Sequence, residues 1–258
     1  MTDVYMAYST GGNVALRMWD WADKPLNVLV ALPYLSSWDK NAAENGYSPG
    51  KLMLDSGAFS AWKSGHVVDI DNLIALTLSG RFDEAVGLDV IGSWEGSRRN
   101  IDYMRERGSD AMPVFHIGDP WELLEYYCAG WSKVGLSCRF GEGRPTSIRF
   151  YEQCFARCWP HRFHSFGWID FAMLRAFPFH SGDAVTWGGG ERWRRFVYNA
   201  EVVNIPGVSN DVCRRGNVMA LQFYWDMQCY LKVRWSREIS MLEGVDGRKE
   251  GFSARAEG

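Results

Sequence analysis

Residues 112–136, MPVFHIGDPWELLEYYCAGWSKVGL, hold one complete structural unit. Met112–Phe115 is a short apolar run, with the polar His116 at its end. Asp119-Pro120-Trp121-Glu122 then reads as a helix start. It offers a capping acid, a proline where the missing N–H is not needed, and a Glu three residues after the cap. Leu123, Leu124 and Tyr127 share one helical face, and Gly130 ends the helix. Lys133–Leu136 is a second apolar run. Two continuous apolar runs joined by an amphipathic helix make a parallel β-α-β unit, with its strands buried on both faces.

The same unit recurs in both directions. Further runs lie at Val28–Leu32, Lys51–Leu54, Ala85–Leu88, Arg162–Phe166 and Phe179–Ser181, with a weaker eighth at Glu201–Ile205. Asp69 or Asp71 can cap a helix carrying Ile70, Ile74 and Leu78 as far as Gly80. Ser97 can cap one carrying Ile101 and Met104 as far as Gly108. Pro145 opens another with Ile148, Tyr151 and Phe155, ended by Pro160. Val218, Leu221, Trp225 and Cys229 give helical spacing from Asn210 to about Arg237. Seven or eight such units in 258 residues predict an α/β fold, a single (β/α)8 TIM-type barrel, over an open doubly wound sheet. The barrel is expected over residues 1–243. Residues 244–258, Gly-rich, charged and aperiodic, read as a disordered C-terminal tail.

Composition narrows the function classes. A chain 47% hydrophobic and 23% charged has the material for a core, which excludes intrinsic disorder for its body. No apolar stretch approaches the ~18 residues of a membrane span. The first residues lack the basic region and apolar core of a signal peptide, so a cytoplasmic protein without membrane contact is expected. A net charge of -3 is not the footprint of a chain that binds nucleic acid over its whole surface, but it permits a local basic patch. Six cysteines are too sparse for a disulfide scaffold. Cys154 and Cys158, with His161 and His164 beyond, lack the second cysteine pair of a zinc site, and no metal is expected. The thirteen tryptophans suit either helix packing or the stacking of bases.

Four polar residues end apolar runs: Asp55, Asp89, His116 and Asp183. In a parallel barrel those ends share the rim that carries the active site. Taken singly, such an Asp also caps a helix or makes a turn, and His116 also suits a satisfied core position. Asp55-Ser56-Gly57-Ala58-Phe59 adds a small-residue turn that lets backbone approach a ligand. The triplet Gly188-Gly189-Gly190 lacks the Lys-Ser/Thr of a nucleotide-binding loop. The segment after it, Arg192, Trp193, Arg194 and Arg195, is placed to grip backbone phosphates, with a solvated face as the plain alternative.

These segments, in this order, resemble the tRNA-guanine transglycosylase superfamily. Leu54-Asp55-Ser56-Gly57-Ala58-Phe59 is similar to its Thr-Asp-Ser-Gly-Gly-Phe-Gln segment. Val86-Gly87-Leu88-Asp89 resembles the strand ending in its base-recognising Asp, and Val114-Phe115-His116-Ile117-Gly118 a segment with Gln at the His116 position. Val134-Gly135-Leu136 resembles its Gly-Gly-Leu strand, and Phe163-His164-Ser165-Phe166-Gly167 its Met-Gly-Val-Gly turn. Phe179-His180-Ser181-Gly182-Asp183 resembles the strand bearing its nucleophilic Asp. The likeness covers about residues 50 to 190. The family's Cys-x-Cys-x2-Cys plus His zinc set, and the length of its zinc subdomain, are absent. The nearer likeness is to the phage and bacterial branch that inserts 7-deazaguanines into DNA.

The resemblance implies a glycosyltransferase that exchanges guanine in DNA for a free 7-deazaguanine of the preQ0 type. Asp183 is then the nucleophile and Asp55 the proton carrier. Asp89, His116, Gly135 and Leu136, with Ser56, Gly57 and Phe59, are implied to form the base pocket, with Phe59 or Trp62 stacking on the base. Single-stranded or locally unpaired DNA is the implied partner, in a host cytoplasm if the chain is phage-encoded. This chemistry requires no metal or redox cofactor. The alternatives are a tRNA transglycosylase lacking zinc, a nucleic-acid N-glycosylase, a non-catalytic nucleic-acid-binding barrel, and an unrelated barrel enzyme acting on a small metabolite.

Overall fold

The computed structural model describes residues 2–9, 13–138, 143–167, 171–190, 194–198 and 201–243. Eight parallel strands, β1 (Asp3–Ala7), β2 (Asn27–Ala31), β3 (Leu52–Asp55), β4 (Glu84–Ala85), β5 (Val114–His116), β6 (Lys133–Ser137), β7 (Arg162–Phe166) and β8 (Ser181–Ala184), form one sheet. Its order is β4-β3-β2-β1-β8-β7-β6-β5. The two ends of that order meet. Val86 bridges Met112, the Met112 N–H donates to the Ala85 carbonyl at 2.8 Å, and the Gly87 N–H donates to the Met112 carbonyl at 2.9 Å. Every strand thus lies beside its sequence neighbours and β1 beside β8, which is the closed order of a (β/α)8 TIM-type barrel.

The helices are α1 (Asn13–Arg17), α2 (Leu35–Asn45), α3 (Ala58–Ser64), α4 (Ile70–Thr77), α5 (Trp94–Glu106), α6 (Trp121–Gly130), α7 (Arg144–Cys158), α8 (Phe171–Ala176) and α9 (Asn210–Glu243). Asp69 caps α4, accepting from the N–H groups of Asp71 and Asn72. Two capping expectations are corrected. Ser93, not Ser97, caps α5, because Ser97 is already helical and bonds the Val90 loop. Asp119 does not cap α6 either; its Oδ2 accepts from the His116 N–H at 2.9 Å, and Pro120 holds the cap position.

The eighth strand is also corrected. Glu201–Ile205 lies outside the barrel: Glu201–Asn204 (β10) pairs antiparallel with Arg195–Tyr198 (β9) in a separate hairpin. The barrel's missing strand is β1, at the N-terminus. Its sequence, DVYMA, holds a short apolar run, Val4–Ala7, that was not counted among the strands. The expected tail, 244–258, lies outside the described residues.

Successive side chains on a strand point to opposite faces. Val4, Met6, Val28, Val30, Leu52 and Leu54 accordingly join the outer core, between sheet and helices. Tyr5, Leu29, Met53, Val86, Met112 and Val114 form a separate cluster inside the barrel. Below that cluster the inward positions are charged. Lys51 donates to Asp3 at 2.6 Å, and Lys232 of α9 reaches the other Asp3 oxygen at 3.3 Å. Lys133 pairs with Glu84, whose other oxygen accepts from the Tyr5 hydroxyl at 3.2 Å. Gln228 of α9 caps this floor, accepting from the Val4 N–H and the Asn27 amide.

Tryptophan serves mainly as packing. Trp19, Trp21, Trp38, Trp131, Trp187 and Trp235 are buried, and Trp62 is the exposed one among the described tryptophans. Trp187, fully buried just after β8, donates its indole N–H to the Ala7 carbonyl at 3.0 Å and so ties β8 to the end of β1. Trp187→Phe should cost about 1–3 kcal/mol through the carbonyl left unpaired. Trp187→Ala should cost about 3–5 kcal/mol, because a cavity is added. Urea unfolding of both variants checks the order; unchanged stability in Trp187→Phe would show that the hydrogen bond contributes nothing.

Candidate active site

Strand ends place the site. β3 delivers Asp55 to the C-terminal mouth and then turns sharply through Ser56 and Gly57 into α3. The turn requires glycine: φ at Gly57 is +72°, and a Cβ there would lie 2.5 Å from Cδ of Pro33. Ser56 is buried at the turn. Phe59 stands on the first turn of α3, 56% exposed, with its ring centroid 5.9 Å from that of Trp62. An exposed pair of neighbouring rings on the rim is a surface on which a flat ligand can stack.

Asp55, Asp89 and Asp183 come together at this mouth. Burial, then the charges of Asp183 and Asp89, push the Asp55 carboxyl from an ordinary 3.8 up to about 7, against the pull of the Gly57 and Ser56 backbone N–H groups. Asp55 can therefore hold a proton near neutral pH beside carboxylates that repel its ionised form. Asp89, in the loop after β4, accepts from or pairs with His116 Nε2 at 3.1 Å, and both side chains keep part of their surface open. Asp183 is 7% exposed in β8. Its Oδ1 accepts from the Gly167 N–H at 2.9 Å and lies 3.4 Å from Nε2 of the fully buried His164. Among the described residues, no donor reaches its Oδ2.

Other expected positions fall elsewhere. Leu136 is fully buried in the outer core, because it alternates outward on β6. Its side chain does not face the mouth; Ser137, registered beside His116, takes the inward position. Gly135 does face inward, but its space is filled. A Cβ there would meet Phe166 at 2.2 Å, so the glycine admits the Phe166 ring rather than a ligand, and its N–H is taken by the Pro113 carbonyl. Arg194 has φ +50° and directs Nη1 to the Val208 carbonyl and to Cys213 Sγ, both at 3.1 Å. That contact ties the loop before β9 to the start of α9. Arg192 and Trp193 lie outside the described residues, as does the side chain of Arg195. Among the described residues, no cluster of three or more His, Cys, Asp or Glu is arranged to hold a metal.

His164 was missed as a site residue, since Phe163-His164-Ser165-Phe166 reads as a mostly apolar strand. Alternation carries the signal: Phe163 and Ser165 turn outward, so His164 and Phe166 turn in. The ring of His164 lies 4.4 Å from that of Phe166, and its Nδ1 is 2.8 Å from Ser181 Oγ.

No family model and no curated protein sequence matches the chain. Among solved structures it is similar to the tryptophan synthase alpha chain of Legionella pneumophila subsp. pneumophila, with a TM-score of 0.55 and 9% identity over 90% of this chain and 92% of that one. A mutant tryptophan synthase alpha-subunit from the hyperthermophile Pyrococcus furiosus gives a TM-score of 0.51 and 11% identity over 86% of this chain and 98% of that one. Identities this low show the barrel fold and leave the reaction to the residues at the mouth.

The raised Asp55 pKa has a stability signature. Between 3.8 and about 7 the folded chain binds more protons at this group than the unfolded chain does. This contribution to stability is therefore present at low pH and is lost as pH rises through about 7. Asp55→Asn should flatten that part of the profile. Urea midpoints of both proteins from about pH 4 to about pH 8 check it; parallel profiles would show that Asp55 titrates at its ordinary value.

Proposed function

We propose that the chain is an enzyme, a base-exchange transglycosylase that replaces guanine in DNA with a free 7-deazaguanine through a glycosyl-aspartate intermediate. The observation that carries this reading is the gathering of Asp55, Asp183 and Asp89 at a barrel mouth, where burial and its two neighbours raise the Asp55 pKa to about 7. Base exchange needs an acid and a nucleophile in one site, with their protonation states kept apart.

In the first step an Asp183 carboxylate oxygen attacks C1′ of the target nucleotide. The C1′–N9 bond breaks, its electron pair leaves with guanine, and Asp55 gives guanine its proton. The sugar is then an ester of Asp183. In the second step Asp55 takes the N9 proton of the incoming 7-deazaguanine. N9 attacks C1′, the ester bond breaks, and the Asp183 carboxylate is restored. Two displacements at one carbon retain configuration. Asp89, oriented by His116, accepts hydrogen bonds from the N1–H and amino edge shared by the two bases. Phe59 and Trp62 stack on the nucleic acid at the rim.

The target base must leave its stack to enter the mouth, which costs a few kcal/mol in a duplex and less in a single strand. Arg194 is engaged with Val208 and Cys213, so the phosphate-gripping role in this reading passes to Arg192 and Arg195. A 7-deaza base lacks the N7 acceptor that proteins read in the major groove, so modified DNA would resist such readers.

The test uses DNA and, separately, tRNA carrying labelled guanine, each with and without preQ0. Release from single-stranded DNA only with preQ0 is expected. Asp183→Asn should lower it at least about 1000-fold with the fold intact by circular dichroism. Release from tRNA alone would move the substrate to RNA. Release without preQ0 would make the chain a glycosylase. No release from either would end the reading.

A further inference from the structure

A line of polar side chains crosses the barrel interior from the floor to Asp183. Lys133 on β6 pairs with Glu84 and also donates to Ser181 Oγ at 3.2 Å. Ser181 Oγ lies 2.8 Å from Nδ1 of His164, and Nε2 of the same ring lies 3.4 Å from Asp183 Oδ1. Ser181 and His164 are fully buried. Register explains the line: Lys133 precedes Gly135 by two residues on β6, Gly135 pairs with His164, His164 pairs with Ser181, and Asp183 follows Ser181 by two on β8.

The donor inventory orients every proton in it. An ammonium only donates, so Ser181 Oγ accepts from Lys133. The hydroxyl proton of Ser181 is then available to the other neighbour, Nδ1 of His164, whenever that nitrogen is bare. At the far end Asp183 Oδ1 already accepts from the Gly167 N–H, so it is an acceptor for His164 as well. A bare Nε2 facing it would place two lone pairs together. The Asp183 end therefore requires the proton on Nε2, and a neutral ring then leaves Nδ1 bare to accept the Ser181 hydroxyl proton.

We propose that Lys133 and Ser181 lock His164 in the Nε2–H form, making His164 the positioning residue that turns Asp183 so that Oδ2 is its attacking oxygen. Burial supports the neutral ring by holding the His164 pKa below its ordinary value, against the pull of Asp183. Two donors converge on Oδ1, and among the described residues none reaches Oδ2. Among the described residues, Oδ2 is thus the oxygen without a donor, the more basic and less stabilised of the two. The part of this proposal that concerns attack rests on the reading of Asp183 as nucleophile; the proton order does not.

Two measurements separate those parts. In the full chain labelled with 15N-histidine, His164 is the ring signal lost in His164→Gln. Where that variant fails to fold, it is the signal that persists when His66, His116, His161 and His180 are each replaced. The expected spectrum has Nε2 protonated and Nδ1 bare, with no titration from about pH 5.5 to about pH 8. A proton on Nδ1, or titration near the ordinary histidine value, would overturn the lock.

The second measurement is base exchange into DNA. His164→Leu should lower kcat about 100-fold with little change in KM, since a nucleophile misplaced by about 1 Å costs that much. His164→Gln, which keeps an N–H near the Nε2 position, should recover most of it. Unchanged kcat in His164→Leu would overturn the positioning role. If the wild-type chain exchanges no base, the reading of the reaction fails while the nitrogen spectrum still decides the lock.

Discussion

The interaction on which the polar interior depends is the Lys133–Glu84 pair inside the barrel floor. An ammonium taken out of water without a partner is destabilising by several kcal/mol. Glu84 supplies the charge, Tyr5 satisfies Glu84's second oxygen, and Ser181 takes a further Lys133 proton. Remove Lys133 and each of these groups is left partly unpaired in a dry space. The pair is therefore weak evidence for net stability and strong evidence for order, since it fixes where every neighbouring hydrogen bond must point.

The two ends of the barrel obey opposite rules. At the floor each charge meets its opposite: Asp3 with Lys51 and Lys232, Glu84 with Lys133. At the mouth three carboxylates gather with two imidazoles, His116 beside Asp89 and His164 beside Asp183. Like charges in a confined space cannot all ionise, so Asp55, pushed up by burial and by the charges of Asp183 and Asp89, can hold a proton near neutral pH. The floor is built for permanence. The mouth keeps an unbalanced set of acids, which is how a barrel departs from local consistency at a functional end.

The fold was legible where strands read as continuous apolar runs, because both faces of those strands are buried. The strand Asp3–Ala7 went uncounted although Val4–Ala7 is itself a short apolar run. The hairpin strand Glu201–Asn204 looked similar to a barrel strand, because a short β-rich run does not announce which sheet it joins. Asp55, Asp89, His116 and Asp183 were legible for one reason: a polar residue at the end of a buried parallel strand has only the mouth to face. Leu136 was misassigned because contiguity in sequence was read as contiguity in the pocket, whereas the alternation that turns Gly135 inward turns Leu136 outward. His164 escaped for the same reason in reverse.

The placement of charge also bears on how a ligand would be held. The chain carries a net charge of -3, its mouth is acidic, and the Arg194 guanidinium is tied to Val208 and Cys213. Long-range attraction of a polyanion is therefore small outside the segment at 192–195. The rim offers something else: Tyr34, just after β2, and Phe59 and Trp62, on α3 after β3, are exposed rings. Stacking on such rings contributes about 1–3 kcal/mol per base and needs no countercharge. A strand held this way can lay its bases on the rim while its phosphates stay away from the carboxylates. In the proposed exchange, the acids that would repel a phosphate backbone then face only the base and its sugar.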